Sequence, residues 1–144
     1  MAKEGIYIVT SKFKKIVYPD VFNSNKIYEH YKLREDLEGL LEKSGYKEKF
    51  KRQYRMRLKF LEDRLDRCIE KSSWFESLKS ENGLYSMKIK GQLNIRVIFA
   101  FTHLENGEIS VLLCGFHEKK SKDYKRAIEE AKVRLEELRS EINE

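Results

Sequence analysis

The chain has little of what marks the specialised sequence classes. It has one proline, Pro19, and no low-complexity segment, linker or internal repeat, which argues against a string of small units. No apolar run approaches the ~20 residues of a membrane helix, and the opening Met1-Ala2-Lys3-Glu4-Gly5 carries no apolar signal segment. A cytoplasmic protein with no membrane partner is therefore expected. The two cysteines, Cys68 and Cys114, lie far apart without metal-ligand spacing, so a reduced, buried pair is expected. No His/Cys/Asp/Glu cluster has the spacing of a metal centre, so no metal is expected. There is no glycine-rich nucleotide loop, no Gly-x-Ser-x-Gly and no Cys/His nucleophile pair. The classes that depend on them are set aside, and no cofactor is expected.

What is present is charge. Of 144 residues, 38% are charged and 40% apolar, with a net charge of +6. That is enough apolar material for one domain, 1–144, with its own core. The positive charge is not spread evenly. Residues 84–103 carry Lys88, Lys90 and Arg96 and no acid, and residues 119–126 carry Lys119, Lys120, Lys122, Lys125 and Arg126 against Asp123 alone. From Ala127 the chain turns acidic. A concentrated basic region points to a polyanionic partner.

Periodicity gives an α+β order. Ile6–Val9 reads as a short strand. A long helical hairpin is expected over an enlarged region at about 20–71. Its first helix, Ser24–Lys43, has Leu33, Leu37, Leu40 and Leu41 on one face, and Ser44-Gly45 closes it. Its second, Tyr46–Lys71, carries Phe50, Tyr54, Leu58, Leu61, Leu65 and Ile69. The period then falls to two. A three-stranded antiparallel sheet is expected from Leu84–Lys90, from Ile95–Phe101 and from Glu108–Phe116. Turns at Gly91-Gln92 and Asn106-Gly107 connect them. A C-terminal helix begins near Ser121, read as its N-cap, with a stripe of Tyr124, Ile128, Ala131, Leu135, Leu138 and Ile142. In this reading helices cover one sheet face and the other is open.

Alternation takes Lys88 and Arg96 off the core-facing series of their strands, where paired cations on an open face would bind phosphate. The plainer alternative is an ordinary solvated face. The lysines at the start of the last helix add to the attraction of its N-terminus for anions. His117 is the one histidine beside them and could move a proton, or could be a loop residue without a role. Tyr124 is either a site residue or the first member of the helix's core stripe.

These segments resemble a known family. Gly83-Leu84-Tyr85-Ser86-Met87-Lys88-Ile89, then Arg96-Val97-Ile98-Phe99, then Leu112-Leu113-Cys114-Gly115-Phe116-His117-Glu118-Lys119-Lys120, then Ile128–Arg134, look like the RelE/ParE toxin superfamily, within it the phage-derived, HigB-like branch. The resemblance covers roughly residues 74–138. It implies the toxin of a type II toxin-antitoxin system, an endoribonuclease that cleaves messenger RNA, usually on the ribosome, without a metal. It also implies a cognate antitoxin partner, expected to be of helix-turn-helix type. The family's basic positions fall on Lys88, Arg96, Lys119 and Lys120, and its tyrosine on Tyr124. The chain departs from the pattern in carrying Lys88 where many members have arginine. Glu118 stands where some have a further arginine.

The expected site is thus Arg96, Lys119, Lys120, Tyr124 and His117 for chemistry, with Lys88, Lys90, Lys122 and Lys125 holding RNA. The alternative is a non-catalytic member of the fold that binds a protein, as a gyrase poison or a phage inhibitor of a host enzyme would. Convergence of Lys88, Arg96, Lys119 and Tyr124 would favour the nuclease, and scatter the binding protein.

Overall fold

A computed structural model describes residues 12–19, 22–78, 83–104 and 107–142. The strand expected at Ile6–Val9 lies outside them. The described chain runs β1 (Phe13–Lys15), β2 (Ile27–His30), α1 (Leu33–Leu41), α2 (Lys47–Arg64), a 3-10 turn (Leu65–Glu70), β3 (Phe75–Ser77), β4 (Tyr85–Ile89), β5 (Ile95–Leu104), β6 (Gly107–His117) and α3 (Ser121–Ile142). The α+β class stands, but the topology is not the expected three-stranded one. The strands form one six-stranded mixed sheet in the order β1-β2-β6-β5-β4-β3. Only the β2–β6 pair is parallel.

The first half of the expected helical hairpin is part strand. Ile27, Tyr28, Glu29 and His30 are all buried, because β2 lies inside the sheet between β1 and β6 and is covered on both faces. A strand of that kind loses the alternation that betrays a half-exposed one. The second helix also stops early. Leu65 takes a left-handed φ of 49°, and the chain tightens into the 3-10 turn, which turns Ile69 out to solvent and buries Cys68 instead.

Nor is either sheet face open. Ile95, Val97, Phe99, Met87 and Ile89 meet Leu33, Leu37, Phe50, Tyr54 and Leu58 in a core beneath α1 and α2. On the other face, Ile98, Ala100, Val111 and Leu113 meet Ala127, Ala131, Leu135 and Leu138 of α3. Backbone approaches are close on the first face. A Cβ on Gly115 would lie 2.7 Å from Leu37 Cδ2, and one on Gly91 would collide with the Tyr46 ring. The β4–β5 turn is also tied to the α1–α2 turn, where Gln92 Nε2 donates to the Ser44 carbonyl at 2.7 Å. Both cysteines are buried and unlinked, and burial pushes each thiol up to about 12. Among the described residues no helix is long and apolar enough to cross a membrane.

One buried cation ties the layers together. The pairing of β5 with β6 slips between Ile98 and Phe99, facing Cys114 and Leu112, so Leu113 has no partner. Its carbonyl accepts instead from Arg134 Nη1 of α3 at 2.8 Å. The same nitrogen donates to Asp36 Oδ2 of α1 at 2.9 Å, and that oxygen also takes the Gly115 N–H at 3.3 Å. Arg134 Nε donates to Glu130 at 3.0 Å. Replacing Arg134 by Met should therefore cost about 3 kcal/mol in urea unfolding. It strips a buried carbonyl and a carboxylate of their shared donor while keeping the aliphatic volume. A loss under ~1 kcal/mol would mean that water replaces it.

Glu29 is a second buried ionisable group. It faces the α1/α2 core at 1% exposure, and neither carboxyl oxygen has a hydrogen-bond partner. Burial raises its pKa from 4.5 to about 7, against the lowering effect of Lys14 and Arg34. The folded state then holds the proton more tightly than the unfolded chain. Its contribution is complete below about pH 4.5 and is lost as pH rises through about 7, on the order of 3 kcal/mol in all. Glu29→Gln should raise the melting temperature at pH 8 and give little or no gain at pH 5. A gain equal at both pH values would show that Glu29 is not protonated in the fold.

Candidate functional site

The hairpin β4–β5 places Lys88 opposite Arg96. Directly paired residues in an antiparallel ladder point to the same face. That face is the one α3 covers, since Ser86 before Lys88 bonds α3 and Ile98 after Arg96 packs on it. The next strand places Phe116 opposite Arg96, and the Phe116 ring meets the Tyr124 ring edge-on at 5.0 Å. The Tyr124 hydroxyl is 2.7 Å from Ser86 Oγ. Lys88, Arg96 and Tyr124 therefore converge, where β4 and β5 pass under the first turns of α3.

The expected open phosphate face is instead charge-compensated. Arg96 is only 8% exposed. Its Nε lies 3.0 Å from Glu118 Oε1, an ion pair without hydrogen-bond alignment, since Nε has no hydrogen-bond partner. Lys88 Nζ donates to Glu76 Oε1 of β3 at 3.2 Å. The two amides just before α3 are taken as well. Asp123 Oδ2 accepts from the Lys119 and Lys120 N–H groups at 2.8 Å each, and these bonds hold its carboxyl below the usual range. Ser121 is already helical, so the cap is this carboxylate reaching back one turn, not the Ser121 hydroxyl expected from sequence.

Burial keeps the Tyr124 hydroxyl above its ordinary pKa, with Ser86 and Arg96 lowering it and Glu76 and Glu118 raising it. It is a proton-bearing hydroxyl bonded to Ser86 and within the electrostatic influence of two carboxylates and a guanidinium. The side chains of Lys119, Lys120, Lys122 and Lys125 are exposed or nearly so around the first turns of α3, and Lys90 is exposed just past β4. None of the five forms an ion pair among the described residues. They are a basic rim, one step outside the cluster.

His117 does not join it. It pairs with Ile95, whose side chain is in the α1/α2 core, so the histidine lies on the far face of the sheet from Tyr124. Sequence reasoning also passed over Glu76 and Ser86, and treated Glu118 only as a departure from a pattern. Ser86 was within reach, since it alternates with Lys88. Glu76 was not, because β3 is three residues long and has no alternation to read. No group of three or more His, Cys, Asp or Glu side chains among the described residues could hold a metal. No family model, curated protein or solved structure matches the chain.

The Tyr124–Ser86 contact separates packing from polarity. Ser86 is fully buried, so Tyr124→Phe should lower stability by about 1 kcal/mol by orphaning its hydroxyl. Ser86→Ala with Tyr124→Phe should cost no more than Ser86→Ala alone. Additive losses in a double-mutant cycle would mean that the two hydroxyls do not share a bond. Arg96→Ala should also destabilise, because it removes a nearly buried side chain and the counter-ion of Glu118.

Proposed function

We propose that the protein cleaves RNA, as a toxin of the RelE/ParE kind acting on messenger RNA at the ribosome and restrained by a cognate antitoxin. The observation that supports this most is the meeting of Lys88, Arg96, Tyr124 and Glu118 on one face, beside the lysines of α3. The resemblance of roughly residues 74–138 to that superfamily points the same way.

The set covers what RNA self-cleavage needs. The Glu118 carboxylate takes the proton of a 2′-hydroxyl, and the freed oxygen attacks the neighbouring phosphorus. The P–O5′ bond breaks, leaving a 2′,3′-cyclic phosphate and a 5′-hydroxyl end. The Tyr124 hydroxyl gives its proton to the departing O5′, and exchange with water resets both groups. Arg96 and Lys88 exchange their carboxylate partners for the phosphate oxygens as charge builds there. Lys119 and Lys120 draw in the backbone, with Lys90, Lys122 and Lys125 further along the rim.

The neutralised state of Arg96 and Lys88 favours a second reading, a non-catalytic member of the fold that acts by binding a host protein. One experiment separates the two. An end-labelled RNA is incubated with the protein, either free in EDTA or, with magnesium, on programmed ribosomes. Cleavage should yield cyclic-phosphate ends and fall about a hundredfold or more in Glu118→Gln and in Arg96→Ala. RNA left intact in both settings, by a protein that still arrests growth when expressed, would transfer the assignment to protein binding.

A further inference from the structure

On the opposite side of the molecule from α3, the outward face of α2 forms a second surface that the RNA reading does not use. Arg52, Arg55, Met56, Lys59 and Phe60 follow one another at helical spacing, and Trp74 closes the far wall. Together with Asp63 they line a groove of about 570 Å³. Its floor is aromatic and fixed. Phe60 meets Trp74 edge-on at 5.6 Å and stacks on Phe75 at 6.0 Å. Met56 stands at the mouth, 56% exposed, an unbranched, adaptable side chain of the kind that re-packs around a guest. Three cations border this floor against the single carboxylate of Asp63.

A single exposed apolar side chain is ordinary on a surface, but Met56, Phe60 and Trp74 adjoin in one apolar patch bordered by arginines and lysines, the pattern of a surface that is covered. The electrostatics say by what. Eight of the eighteen residues of α2 are Lys or Arg and three are acidic. Lys47 and Arg64 are balanced by Glu38 and Glu70 and Arg57 points inward, but the groove keeps an excess of positive charge over Asp63, which favours a negative covering surface. RNA meets the charge but not the floor. Arg57 and Lys71 each lie 4.5 Å from the centre of the Trp74 ring, and a stacking base would have to displace one of them. The apolar mouth beside Met56 and Phe60 suits an aliphatic or aromatic side chain instead.

We infer that this groove docks an acidic amphipathic peptide segment of another protein, with a bulky apolar residue seated between Met56, Phe60 and Trp74 and carboxylates facing Arg52 and Lys59. That is the helix-in-groove mode of recognition, an anchor in a pocket with a charged rim. The inference is independent of the cluster under α3 and stands whether or not that cluster cleaves RNA.

The test uses the full chain and a fluorescein-labelled, helix-forming peptide of Glu, Leu and Phe whose apolar residues recur three and four apart. The control peptide has serine in place of each Leu and Phe. The intact chain should bind the first about tenfold or more tightly than the control. Met56→Asp, at an exposed position that leaves the core alone, should weaken binding by a similar factor, and Arg52→Glu with Lys59→Glu by more. Lys119→Glu with Lys120→Glu removes at least as much positive charge elsewhere and should change little. Equal binding of both peptides, or indifference to Met56→Asp, would reduce the groove to a basic surface and overturn the inference. Displacement of the peptide by polyuridine with the same variant profile would reassign the groove to RNA, and failure to bind either peptide would remove it.

Discussion

Arg134 is the interaction on which the layering rests. A sheet with helices on both faces must keep its two layers in register across a central strand, and here that strand carries a defect. The extra residue at Leu113 leaves a carbonyl that no neighbouring strand can satisfy, beyond the point where β2 has ended. One guanidinium repairs it and in the same reach takes hold of Asp36. Helix α3, strand β6 and helix α1 thereby share a single donor nitrogen. His30 strengthens the same edge further along, with Nε2 2.9 Å from Glu137 of α3 and Nδ1 accepting the Lys32 N–H. That arrangement suits a neutral ring, and burial lowers the pKa accordingly.

The candidate site follows from the same architecture. Because α3 crosses the face that carries Lys88 and Arg96, neither cation can simply point into water. Each has drawn a carboxylate to itself, and the helix start has drawn Asp123. The outcome is a cluster in which charge is balanced at rest, so an incoming phosphate is favoured only as far as it outcompetes Glu76, Glu118 or both. A phosphate gathering charge in a transition state competes better than one in the ground state. Balanced pairs of this kind can discriminate between the two, which bare surface cations cannot. Among the described residues the rim lysines of α3 have no such partners.

Much of this was legible in the sequence where the physics is local. The alternation of Tyr85–Ile89 and Ile95–Phe101 told correctly which side chains share a face, and Ala131, Leu135 and Leu138 of the expected stripe are on the buried side of α3, joined there by Ala127, which the stripe omitted. What failed was what depends on distant partners. Ile27–His30 reads as helix by spacing because its strand character comes from neighbours on both sides, one of them on β6, far along the chain. The burial of Arg96 depends on where α3 lies, which no pattern around Arg96 encodes. His117 was grouped with the lysines by proximity in sequence, yet a one-residue step along a strand is enough to place it on the opposite face.

The parallel pairing of β2 with β6 sets a condition on how the chain acquires its shape during synthesis. Ile27 must find Ser110, 83 residues later, and no other described strand pairs with β1 or β2. While the ribosome is still making the middle of the chain, β1 and β2 lack the only other described strand they join, and the aromatic side of α2 has no sheet to lie on. The hairpins β3–β4–β5 can form as soon as they emerge, but β6 is the element that joins the two halves. Such non-local closure makes assembly slow and leaves apolar surface uncovered in the meantime. The newly made protein therefore passes through an interval in which it is basic, sticky and incomplete, close to the polyanionic surface of the ribosome that produced it.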